Sequence, residues 1–461
     1  MTGSTAATTG NVTGHLDVFG QQPFLSKLYT QITSCYALPE DISVPRITET
    51  LTNGLRKLSA SFPWIAGQVI HEPDENGTGS YRFAPLGDIP QLTVKDLRDD
   101  RDAMTMAQLR EAGFPMSLLG ETIVASRNTL TLPGSPDADK PAPVLFVQAT
   151  LIKGGFLLTF TAQHNVVDMG GQGQIMRNLA KACHGEDFTA EEIANGNCDR
   201  RHAIPLLDDS YRPGPELEIQ RMKPVDPQQP MPSPAKSVWA YFSFSPEALA
   251  SLKSTAAESV TNPPGFLSTD DCVTAIIWQG TSRARLPRVG GTTKSTLARA
   301  IDVRRFLNIP NYPGVVQNMT YHFLTVQELA ESPVGKIASD LRLQLDPKTS
   351  DIAFRTRALA TMLERSADKT ILGVTAMINP STDVMLSSWA NQDFFFDLDF
   401  NLGLGLPEAV RRPRFAPFES LMYLMPRKRG GDIIAGISLR EEDMERLKKD
   451  EEFGKYAKYI G

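Results

Sequence analysis

The first half of the chain alternates between apolar positions at helical spacing and short apolar runs of strand length. Ile47, Leu51 and Leu55 recur every four residues, which predicts an amphipathic helix that ends near Phe62-Pro63. Short runs rich in β-branched and aromatic residues, bounded by turn residues, predict strands. The elements expected next are strands at Trp64–Ile70, Ser80–Pro85 and Gln91–Leu97 and a helix at Ala103–Ala112.

A hairpin is predicted in the middle of the chain. Val144–Ile152 and Phe156–Phe160 are apolar and of strand length, and Lys153-Gly154-Gly155 between them is typical of a tight turn. The second run continues to a single histidine, His164, and meets Asp168 four residues later. This spacing makes the end of the hairpin the first place to look for chemistry.

His164 lies at a predicted strand-to-helix corner, because apolar residues recur at helical spacing through Gln174–Cys183. Side chains at such corners can project into clefts. An imidazole titrates near neutral pH and can take and return a proton, so His164 is a candidate general base and Asp168 an internal brace of its turn. The HxxxD spacing also arises by accident, and an ordinary core or loop histidine stays the alternative at this point.

The second half mixes strands and helices without strict βαβ alternation. The pattern therefore predicts an α/β class of the mixed α+β kind. The strands expected are Val238–Phe244, Thr296–Val303, Val384–Trp389, Leu421–Met425 and Ile433–Leu439. The helices expected are Cys272–Arg283, Val326–Leu345, Phe354–Ser366 and a charged C-terminal helix, Glu441–Tyr459.

Proline dominates one segment between the halves. From Asp208 to Lys236, prolines stand at positions 213, 215, 224, 227, 230, 232 and 234 without apolar periodicity, which predicts an extended connector rather than a packed element. A chain of 461 residues exceeds one comfortable core, so two domains of about 200 residues are expected. The predicted division is 1–208, a linker at 209–236, and 237–461, with some C-terminal strands able to pack on the N-terminal domain.

Composition and charge narrow the functional classes. Hydrophobic residues make up 41% and charged residues 22% of the chain, and the net charge of −6 gives no nucleic-acid or anionic-membrane signature. The four cysteines are dispersed without CxxC spacing, which argues against a disulfide framework and a zinc site. No run approaches the roughly 20 apolar residues of a membrane span, and the polar N-terminus does not resemble a signal peptide. We expect a cytoplasmic protein without metal, nucleic-acid or membrane partners.

Further short patterns follow the HxxxD motif. Ile301-Asp302-Val303-Arg304 comes after a predicted strand, Ser387-Ser388-Trp389 lies further on, and Asp399-Phe400-Asn401-Leu402-Gly403 begins ten residues after the tryptophan. In order and rough spacing these resemble the BAHD-type superfamily of coenzyme A-dependent acyltransferases, which is marked by HxxxD and a late DFGWG. Longer stretches, among them PWIAGQV, VKDLRDD and VMLSSWA, are similar to the fungal trichothecene 3-O-acetyltransferases in particular.

The resemblance implies two chloramphenicol-acetyltransferase-like domains, each a mixed sheet with flanking helices, and an active-site channel at their interface. Acetyl-CoA would enter from one face and a terpenoid alcohol from the other, and the enzyme would act as a monomer. His164 corresponds to the base that deprotonates the acceptor hydroxyl. Asp168 corresponds to a residue that pairs with an arginine, here Arg304, with Asp302 as further support.

The resemblance also assigns roles to two later segments. Ser387 and Trp389 match the family stretch that faces the reaction centre, so the Ser387 hydroxyl or the Trp389 indole N–H is the expected oxyanion donor. Trp389 as a residue that simply packs in the core stays the alternative. Asp399 and Gly403 are expected to be structural. Asn401 stands where the family has glycine, and asparagine tolerates left-handed backbone angles, so the turn is expected to survive.

Three residues are expected at the coenzyme A site. Arg411, in a basic set that includes Arg412 and residues 427–429, would reach the CoA phosphates, although such clusters are more often solvated faces. Ser268 and Thr269 are either hydroxyls near the CoA arm or a plain helix cap.

The expected function is the transfer of acetyl from acetyl-CoA to a hydroxyl of a trichothecene-type sesquiterpenoid, namely the hydroxyl at C-3. His164 would act as general base on the way to a tetrahedral intermediate. Two alternatives stay open: an acyltransferase of the same fold that acts on a different fungal alcohol or amine, and a catalytically silent binding protein, which the Asn401 departure suggests.

Overall fold

The computed structural model describes residues 14–75, 78–135, 137–223, 235–260 and 265–461. In chain order the strands are β1 (Gly14–His15), β2 (Tyr29–Ala37), β3 (Gln68–Glu72), β4 (Ser80–Ala84), β5 (Gln91–Asp96), β6 (Leu145–Ile152), β7 (Gly155–Gln163), β8 (Ser237–Phe244), β9 (Lys294–Asp302), β10 (Gln317–Thr325), β11 (Val384–Ser388), β12 (Ala409–Arg411), β13 (Leu421–Leu424), β14 (Ile433–Arg440) and β15 (Lys458–Tyr459). The helices are α1 (Val44–Ser61), α2 (Met106–Glu111), α3 (Glu121–Val124), α4 (Met169–Cys183), α5 (Ala190–Gly196), α6 (Pro246–Glu258), α7 (Thr269–Val289), α8 (Val326–Glu331), α9 (Val334–Leu343), α10 (Ile352–Arg365), α11 (Glu441–Leu447) and α12 (Glu451–Gly454).

The first large sheet has five strands in the order β12-β2-β7-β6-β5. It is mixed, because β5 runs parallel to β6 while the other pairs are antiparallel. Strands β6 and β7 form the predicted hairpin and are buried along their whole length. Helices α1 and α4 pack together beside this sheet, and a Cβ on Gly54 of α1 would lie only 2.4 Å from Cys183 Sγ of α4. This layer holds the strand that leads to His164.

The second large sheet has seven strands in the order β10-β9-β11-β13-β14-β8-β15. It is also mixed, because β11 runs parallel to both of its neighbours. The long helix α7 packs on it through a fully buried segment, and Trp278 Nε1 of α7 donates to Ser295 Oγ of β9 at 2.9 Å. The predicted α/β class with two mixed sheets and flanking helices is therefore confirmed. A small third sheet has the order β1-β4-β3.

One strand of the five-stranded sheet comes from the second half of the chain. β12 pairs antiparallel with β2, with Ala409 opposite Cys35 and Arg411 opposite Thr33. Buried side chains such as Tyr241 from β8 join the same apolar core as those of β7. The two halves are thus connected by a shared strand as well as by packing.

The elements predicted at Glu441–Tyr459, Val326–Leu345 and Trp64–Ile70 differ from the structure in how they are divided. Glu441–Tyr459 is not one helix: α11 ends, Asp450 caps α12 by accepting from Phe453 N–H at 2.7 Å, and β15 pairs with β8. Val326–Leu345 is divided into α8 and α9, because Ser332-Pro333 is extended and proline cannot continue a helix. Trp64–Ile70 begins as a 3-10 turn before β3 starts.

The proline-rich connector is packed in the part that the structure describes. Pro215–Gln220 forms a 3-10 helix in which Leu217 is buried. Gln220 Nε2 donates to Asn318 Oδ1 at 2.6 Å and to Tyr321 Oη at 3.0 Å, both on β10. The expectation that this segment stays unpacked is therefore wrong here, because it contains apolar and amide side chains that the second sheet buries. The prolines at 224, 227, 230, 232 and 234 lie outside the described residues.

Candidate active site

His164 lies directly after β7, where the strand gives way to a turn and then to α4. β7 pairs with β2 and β6, so its end is fixed within the sheet. His164 N–H donates to the Leu28 carbonyl at 2.9 Å. Val166 N–H and Val167 N–H both donate to the Gln163 carbonyl, at 3.0 and 3.2 Å. This turn leaves His164 half-buried, while its chain neighbours are buried.

The imidazole of His164 is held in its neutral form. Burial lowers its pKa below the ordinary value of 6.5, and the positive charge of Arg412 lowers it further, whereas the charge of Asp168 acts in the opposite direction. His164 Nδ1 is buried and has no hydrogen-bond partner among the described residues. A neutral imidazole has a lone pair that can accept a proton at neutral pH, which is the state a general base needs.

Asp168 begins α4 and connects it to the second half of the chain. Its Oδ1 accepts from Gly171 N–H at 3.0 Å, which caps the helix. Arg304 Nη2 donates to Oδ1 at 2.8 Å, and Val316 N–H donates to Oδ2 at 2.9 Å. Burial opposes ionisation of this carboxyl, but the Arg304 charge prevails and holds the pKa of Asp168 below its ordinary value. Both oxygens of Asp168 are therefore engaged in protein contacts.

Arg304 is fixed by more than its partner carboxylate. Its Nε donates to the Tyr312 carbonyl at 2.8 Å, and its Nη2 donates to the Gly314 carbonyl at 2.7 Å. Asp302, which the sequence suggested as support, lies 3.1 Å from Nη1 but is itself 56% exposed. The structure thus brings His164, Asp168, Arg304 and Asp302 into one cluster, with the buried Asp168–Arg304 pair at its centre.

The glycines after Asp168 allow close approach rather than forming tight turns. Helix α4 starts at Met169, five residues earlier than predicted, and includes Gly170, Gly171 and Gly173. A Cβ on Gly171 would lie 2.0 Å from the Pro313 carbonyl oxygen. The loop that carries the Arg304 contacts can approach the helix only because Gly171 has no side chain.

A second buried carboxylate, Asp17, was missed by the sequence reasoning. Its Oδ2 accepts from Tyr312 Oη at 2.6 Å and from Val315 N–H at 3.1 Å. Its Oδ1 accepts from Gly20 N–H at 2.8 Å. Asp17 therefore fixes the loop that also carries the carbonyl partners of Arg304. The one signal in the sequence is an isolated aspartate within the apolar run Leu16–Phe19.

A cavity of about 290 Å³ opens in front of His164. Its lining combines residues of both large sheets and includes Asp168, Arg304, Ser387 and Trp389. Much of the rest of the lining is apolar, and examples are Leu25, Leu28, Met319, Met385, Phe415 and Leu421. Phe24 and Phe418, also in the lining, are 62% and 45% exposed. A predominantly apolar space with a few convergent polar groups is typical of a small-molecule site.

Ser387 and Trp389 both line this cavity, but they are not equivalent as donors. Trp389 Nε1 donates to Ser387 Oγ at 3.1 Å, so the indole N–H already has a partner. The Trp389 ring is buried and packs on Tyr423, with ring centroids 4.9 Å apart. Because Ser387 Oγ accepts from the indole, its own hydroxyl hydrogen is directed elsewhere. Of the two, Ser387 has the geometry of an available donor.

The turn at Asp399–Gly403 lies apart from the cavity lining. Asn401 has φ 56°, in the left-handed region, and Gly403 has φ 73°. Asp399 Oδ1 accepts from Asn401 N–H at 2.8 Å, and Asn401 Nδ2 donates to the Cys183 carbonyl at 3.2 Å. The asparagine thus adopts the backbone conformation that glycine adopts most easily, and its side chain ties the turn to α4.

Ser268 and Thr269 lie at the start of α7, beside a second cavity of about 290 Å³. Ser268 Oγ accepts from Asp271 N–H at 3.1 Å and from Arg342 Nη2 at 2.9 Å, so Ser268 is a helix cap. Lys253 and Arg427 line the same cavity and add positive charge.

Arg411 requires a correction. Its guanidinium is buried and donates to the Phe114 carbonyl at 3.2 Å and to the Gly113 carbonyl at 3.3 Å. It also packs over the rings of Phe114 and Tyr241. A coenzyme A phosphate has no access to it, so Arg411 is not a phosphate ligand in this structure. Arg412, the next residue, lines the His164 cavity instead.

Among the residues that the structure describes, none of the helices combines the length and the apolar character that a membrane span requires. Within the same residues, no group of three or more histidine, cysteine, aspartate or glutamate side chains is placed to hold a metal ion.

Two family models match the chain. The model of the trichothecene 3-O-acetyltransferase-like N-terminal domain matches residues 28–183, which include His164 and Asp168. The model of the Transferase family matches residues 126–454, which include strands of both large sheets.

Curated relatives match over nearly the whole length. The O-acetyltransferase dmxR13 of Cryptosporiopsis sp. (strain 8999) is 49% identical over 452 residues, covering 97% of this chain and 98% of the relative. The trichothecene 3-O-acetyltransferase TRI101 of Fusarium sporotrichioides is 49% identical over 448 residues, covering 97% of each.

Solved structures agree with these matches. The crystal structure of F. sporotrichioides TRI101 complexed with coenzyme A and T-2 superposes with a TM-score of 0.90 at 48% identity, covering 97% of this chain and 100% of that one. Vinorine synthase superposes with a TM-score of 0.67 at 16% identity, covering 96% and 94%, which shows a shared fold alone. Fold, site and relatives together define an O-acyltransferase. This chain belongs to the Transferase family, with a trichothecene 3-O-acetyltransferase-like N-terminal domain.

Proposed function

We propose that this protein transfers the acetyl group of acetyl-CoA to the 3-hydroxyl of a trichothecene-type sesquiterpenoid. The observation that carries the proposal is the 49% identity to the F. sporotrichioides trichothecene 3-O-acetyltransferase over 97% of the chain. The neutral histidine at a mostly apolar cavity agrees with it, because acyl transfer to an alcohol needs a base next to a site that accepts an apolar acceptor.

His164 is proposed as the base. It takes the proton of the acceptor hydroxyl while the hydroxyl oxygen bonds to the thioester carbonyl carbon, and the carbonyl π electrons move to the carbonyl oxygen. When the tetrahedral intermediate collapses, the C=O bond re-forms, the C–S bond breaks, and the His164 imidazolium returns its proton to the thiolate. Asp168 does not touch the reactants in this scheme; it fixes the turn through Arg304.

The acceptor is proposed to occupy the His164 cavity. A fused-ring terpenoid alcohol presents a large apolar surface and few hydroxyls, which suits walls formed by Leu28, Met385 and Phe415. Phe24 and Phe418 would cover the part of the acceptor that remains near solvent, because both are exposed members of the lining. Ser387 is proposed as a donor to the oxyanion.

Acetyl-CoA is proposed to approach from the cavity at the start of α7. The two cavities adjoin, because Ser388 in the lining of the first donates to Asp270 in the lining of the second. Lys253 and Arg427 supply positive charge there for phosphate groups. Ser268 and Thr269 line the same space, so Ser268 can cap α7 and still face the pantetheine arm.

Release of the CoA thiol tests the proposal. The purified full chain is incubated with acetyl-CoA and a trichothecene that has a free 3-hydroxyl, and thiol is measured against time. The matched control is the same trichothecene with its 3-hydroxyl already acetylated. We expect thiol release with the first compound only, and one new acetyl group at C-3 by NMR.

Two other outcomes would replace the proposal. Thiol release with a different hydroxylated terpenoid, but not with the trichothecene, would assign the protein to another alcohol. Tight binding of the trichothecene with no thiol released over hours would indicate a silent binding protein. His164→Ala serves as the blank, because removal of the base should abolish thiol release with the trichothecene and with any other hydroxylated terpenoid.

We also propose that the enzyme acts in the cytoplasm and as a monomer. The four cysteines are all free thiols, which suits a reducing compartment. The residues proposed for catalysis all come from one chain, so no second copy is needed to complete the site. A fluorescent fusion tests the location, and light scattering on the eluting peak of a sizing column tests the mass.

A further inference from the structure

Arg412 is a buried cation among aromatic rings. It follows β12, and 4% of its surface is exposed. The centre of its guanidinium lies 4.5 Å from the ring centroid of Phe415, 4.5 Å from that of Tyr423 and 5.6 Å from that of Trp389. Such rings attract the cation through their faces, but they cannot accept the hydrogen bonds that five guanidinium N–H groups offer.

The guanidinium has no acid partner. Within the described part of the chain, no carboxylate lies within 4.0 Å of it and no acceptor bonds to it, and Arg412 Nε is fully buried without a partner. Arg304 and Arg299 are also buried, but they pair with Asp168 and Asp270. Arg127 and Arg411 have no carboxylate partner either, but their guanidinium groups donate to backbone carbonyls. A buried charge without a partner is unfavourable, so its retention here needs a reason outside folding.

The position of Arg412 is fixed by the opposite sheet. Its backbone N–H donates to Tyr241 Oη at 2.9 Å, and Tyr241 Oη donates to the Arg412 carbonyl at 2.7 Å. Tyr241 belongs to β8 of the seven-stranded sheet, whereas Arg412 continues β12 of the five-stranded sheet. The side chain is therefore held at the meeting point of the two sheets, and it lines the cavity that contains His164 and Ser387.

Nearby acids are otherwise engaged. Glu121 is the carboxylate that feels the Arg412 charge, but its Oε2 accepts from Thr129 N–H at 2.6 Å and from Gln31 Nε2 at 3.0 Å. Asp168 is held by Arg304. Neither carboxylate therefore pairs with the Arg412 guanidinium. The guanidinium faces the cavity in which acyl transfer would produce an oxyanion.

We propose that Arg412 is a further catalytic residue, whose guanidinium donates to the thioester carbonyl oxygen as that oxygen becomes negative. The inference rests on the proposed acyl transfer. When the acceptor oxygen bonds to the carbonyl carbon, the π electrons of the carbonyl move to its oxygen, and Arg412 and Ser387 both donate to that oxyanion. When the C–S bond breaks, the electrons of the oxyanion re-form C=O and the interaction weakens. The charge thus acts mainly in the transition state.

The same charge acts on the base. The charged groups that act on His164 are Asp168, which is braced by Arg304, and Arg412. Arg412 favours the neutral imidazole. When its charge is removed, burial still lowers the pKa of His164, but no second charge opposes that of Asp168. The pKa of His164 then rises, so the acidic limb of the pH–rate profile moves to higher pH.

The experiment compares Arg412→Met with a matched control. Arg127 is also buried, also stacked on two rings, those of Tyr29 and Phe146, and also has an unpartnered Nε, but it lies outside the His164 cavity. Wild type, Arg412→Met and Arg127→Met are assayed by thiol release with acetyl-CoA and a trichothecene bearing a free 3-hydroxyl. The readouts are kcat, both KM values and the acidic limb of the kcat/KM profile.

We expect kcat of Arg412→Met to fall by about 10²–10³, with both KM values within a few-fold of wild type and the acidic limb at higher pH. Arg127→Met should keep kcat and the position of the limb. A folded Arg412→Met with kcat near that of wild type would overturn the proposal, and so would a tenfold rise in either KM at unchanged kcat. No turnover by wild type would instead contradict the proposed function itself.

A second variant decides the matter if Arg412→Met does not fold. Arg412→Lys keeps the charge and most of the stem but loses the planar donor fork. We expect it to keep the acidic limb in place and to lose about tenfold or more in kcat, since one oriented donor is removed. A kcat equal to that of wild type in Arg412→Lys would contradict the assignment of Arg412 as a donor.

Discussion

Arg304 Nη2 lies 2.8 Å from Asp168 Oδ1, and the two residues come from different large sheets of the fold: Asp168 follows β7 and Arg304 follows β9. Both side chains are almost completely buried. The pair therefore does two things at once, because it caps the helix next to the proposed base and it holds the two halves of the chain together. It is a structural ion pair whose carboxylate follows the proposed base by four residues.

Removal of one partner should destabilise the whole protein. In Asp168→Asn the buried Arg304 charge keeps only the exposed Asp302 as a counter-ion, so we expect the free energy of unfolding to fall by about 3–5 kcal/mol. Denaturant titration measures it. Asp302→Asn is the matched control, since that carboxylate is 56% exposed and should change stability by about 0–1 kcal/mol. Equal, small losses in both variants would contradict the bracing role.

The pH dependence of activity should follow His164. Because burial and Arg412 hold its pKa below 6.5, the base form is present at neutral pH and is lost only as pH falls through the lowered pKa. We expect kcat/KM to stay level from about pH 9 down to about pH 7 and to decline below the ordinary histidine value. Asp168, whose pKa is held below 3.8, stays ionised over this range. An acidic limb centred above pH 7 would show that another group titrates.

Substitution can separate the contributions of the two candidate oxyanion donors, the Ser387 hydroxyl and the Trp389 indole N–H. Ser387→Ala removes the hydroxyl that is directed away from Trp389, and we expect kcat to fall by about 10²–10³. Trp389→Phe keeps a buried ring but removes the N–H that is 3.1 Å from Ser387 Oγ, and we expect a fall of about tenfold or less through loss of orientation. Steady-state thiol release measures both. A larger effect in Trp389→Phe would reverse the assignment.

The turn at Asn401 should tolerate glycine but not a β-branched residue. Both variants lose the hydrogen bond from Asn401 Nδ2 to the Cys183 carbonyl. Because Asn401 has φ 56°, Asn401→Val should lose a further ~1–3 kcal/mol of the free energy of unfolding and should be the less stable of the two. Thermal unfolding compares them. In both variants kcat of the folded fraction should be unchanged, because this turn does not line the cavity. A Val variant as stable as wild type would show that the left-handed angle is not required.

Local patterns predicted much of the fold. The β6–β7 hairpin, the amphipathic helix through Leu51 and the strand through Val238–Phe244 all follow from apolar spacing and turn residues, and each is present. Where a predicted helix boundary was wrong, the reason was also local. Asp450 starts a new helix where the charged C-terminal pattern continued without a break.

Contacts between distant segments were beyond that reasoning. Asp17 accepts a hydrogen bond from Tyr312, which lies almost three hundred residues later in the chain. Hydrophobic periodicity does not predict such a pair. Arg411 and Arg412 are neighbours in sequence, yet one donates to carbonyls of the loop after α2 and the other faces the cavity. Which of two adjacent arginines turns inward depends on the pairing of β12 with β2, and this pairing is decided by tertiary structure.

The pairing of β12 with β2 has a consequence for biosynthesis. During translation the hairpin and helices of the early segment emerge long before Ala409–Arg411 leaves the ribosome. Until then β2 exposes an unpaired sheet edge, which is the kind of edge that other nascent chains can join. The early segment therefore cannot finish folding as an autonomous unit, and a gene fragment that stops before residue 409 should yield aggregate rather than a soluble half-enzyme.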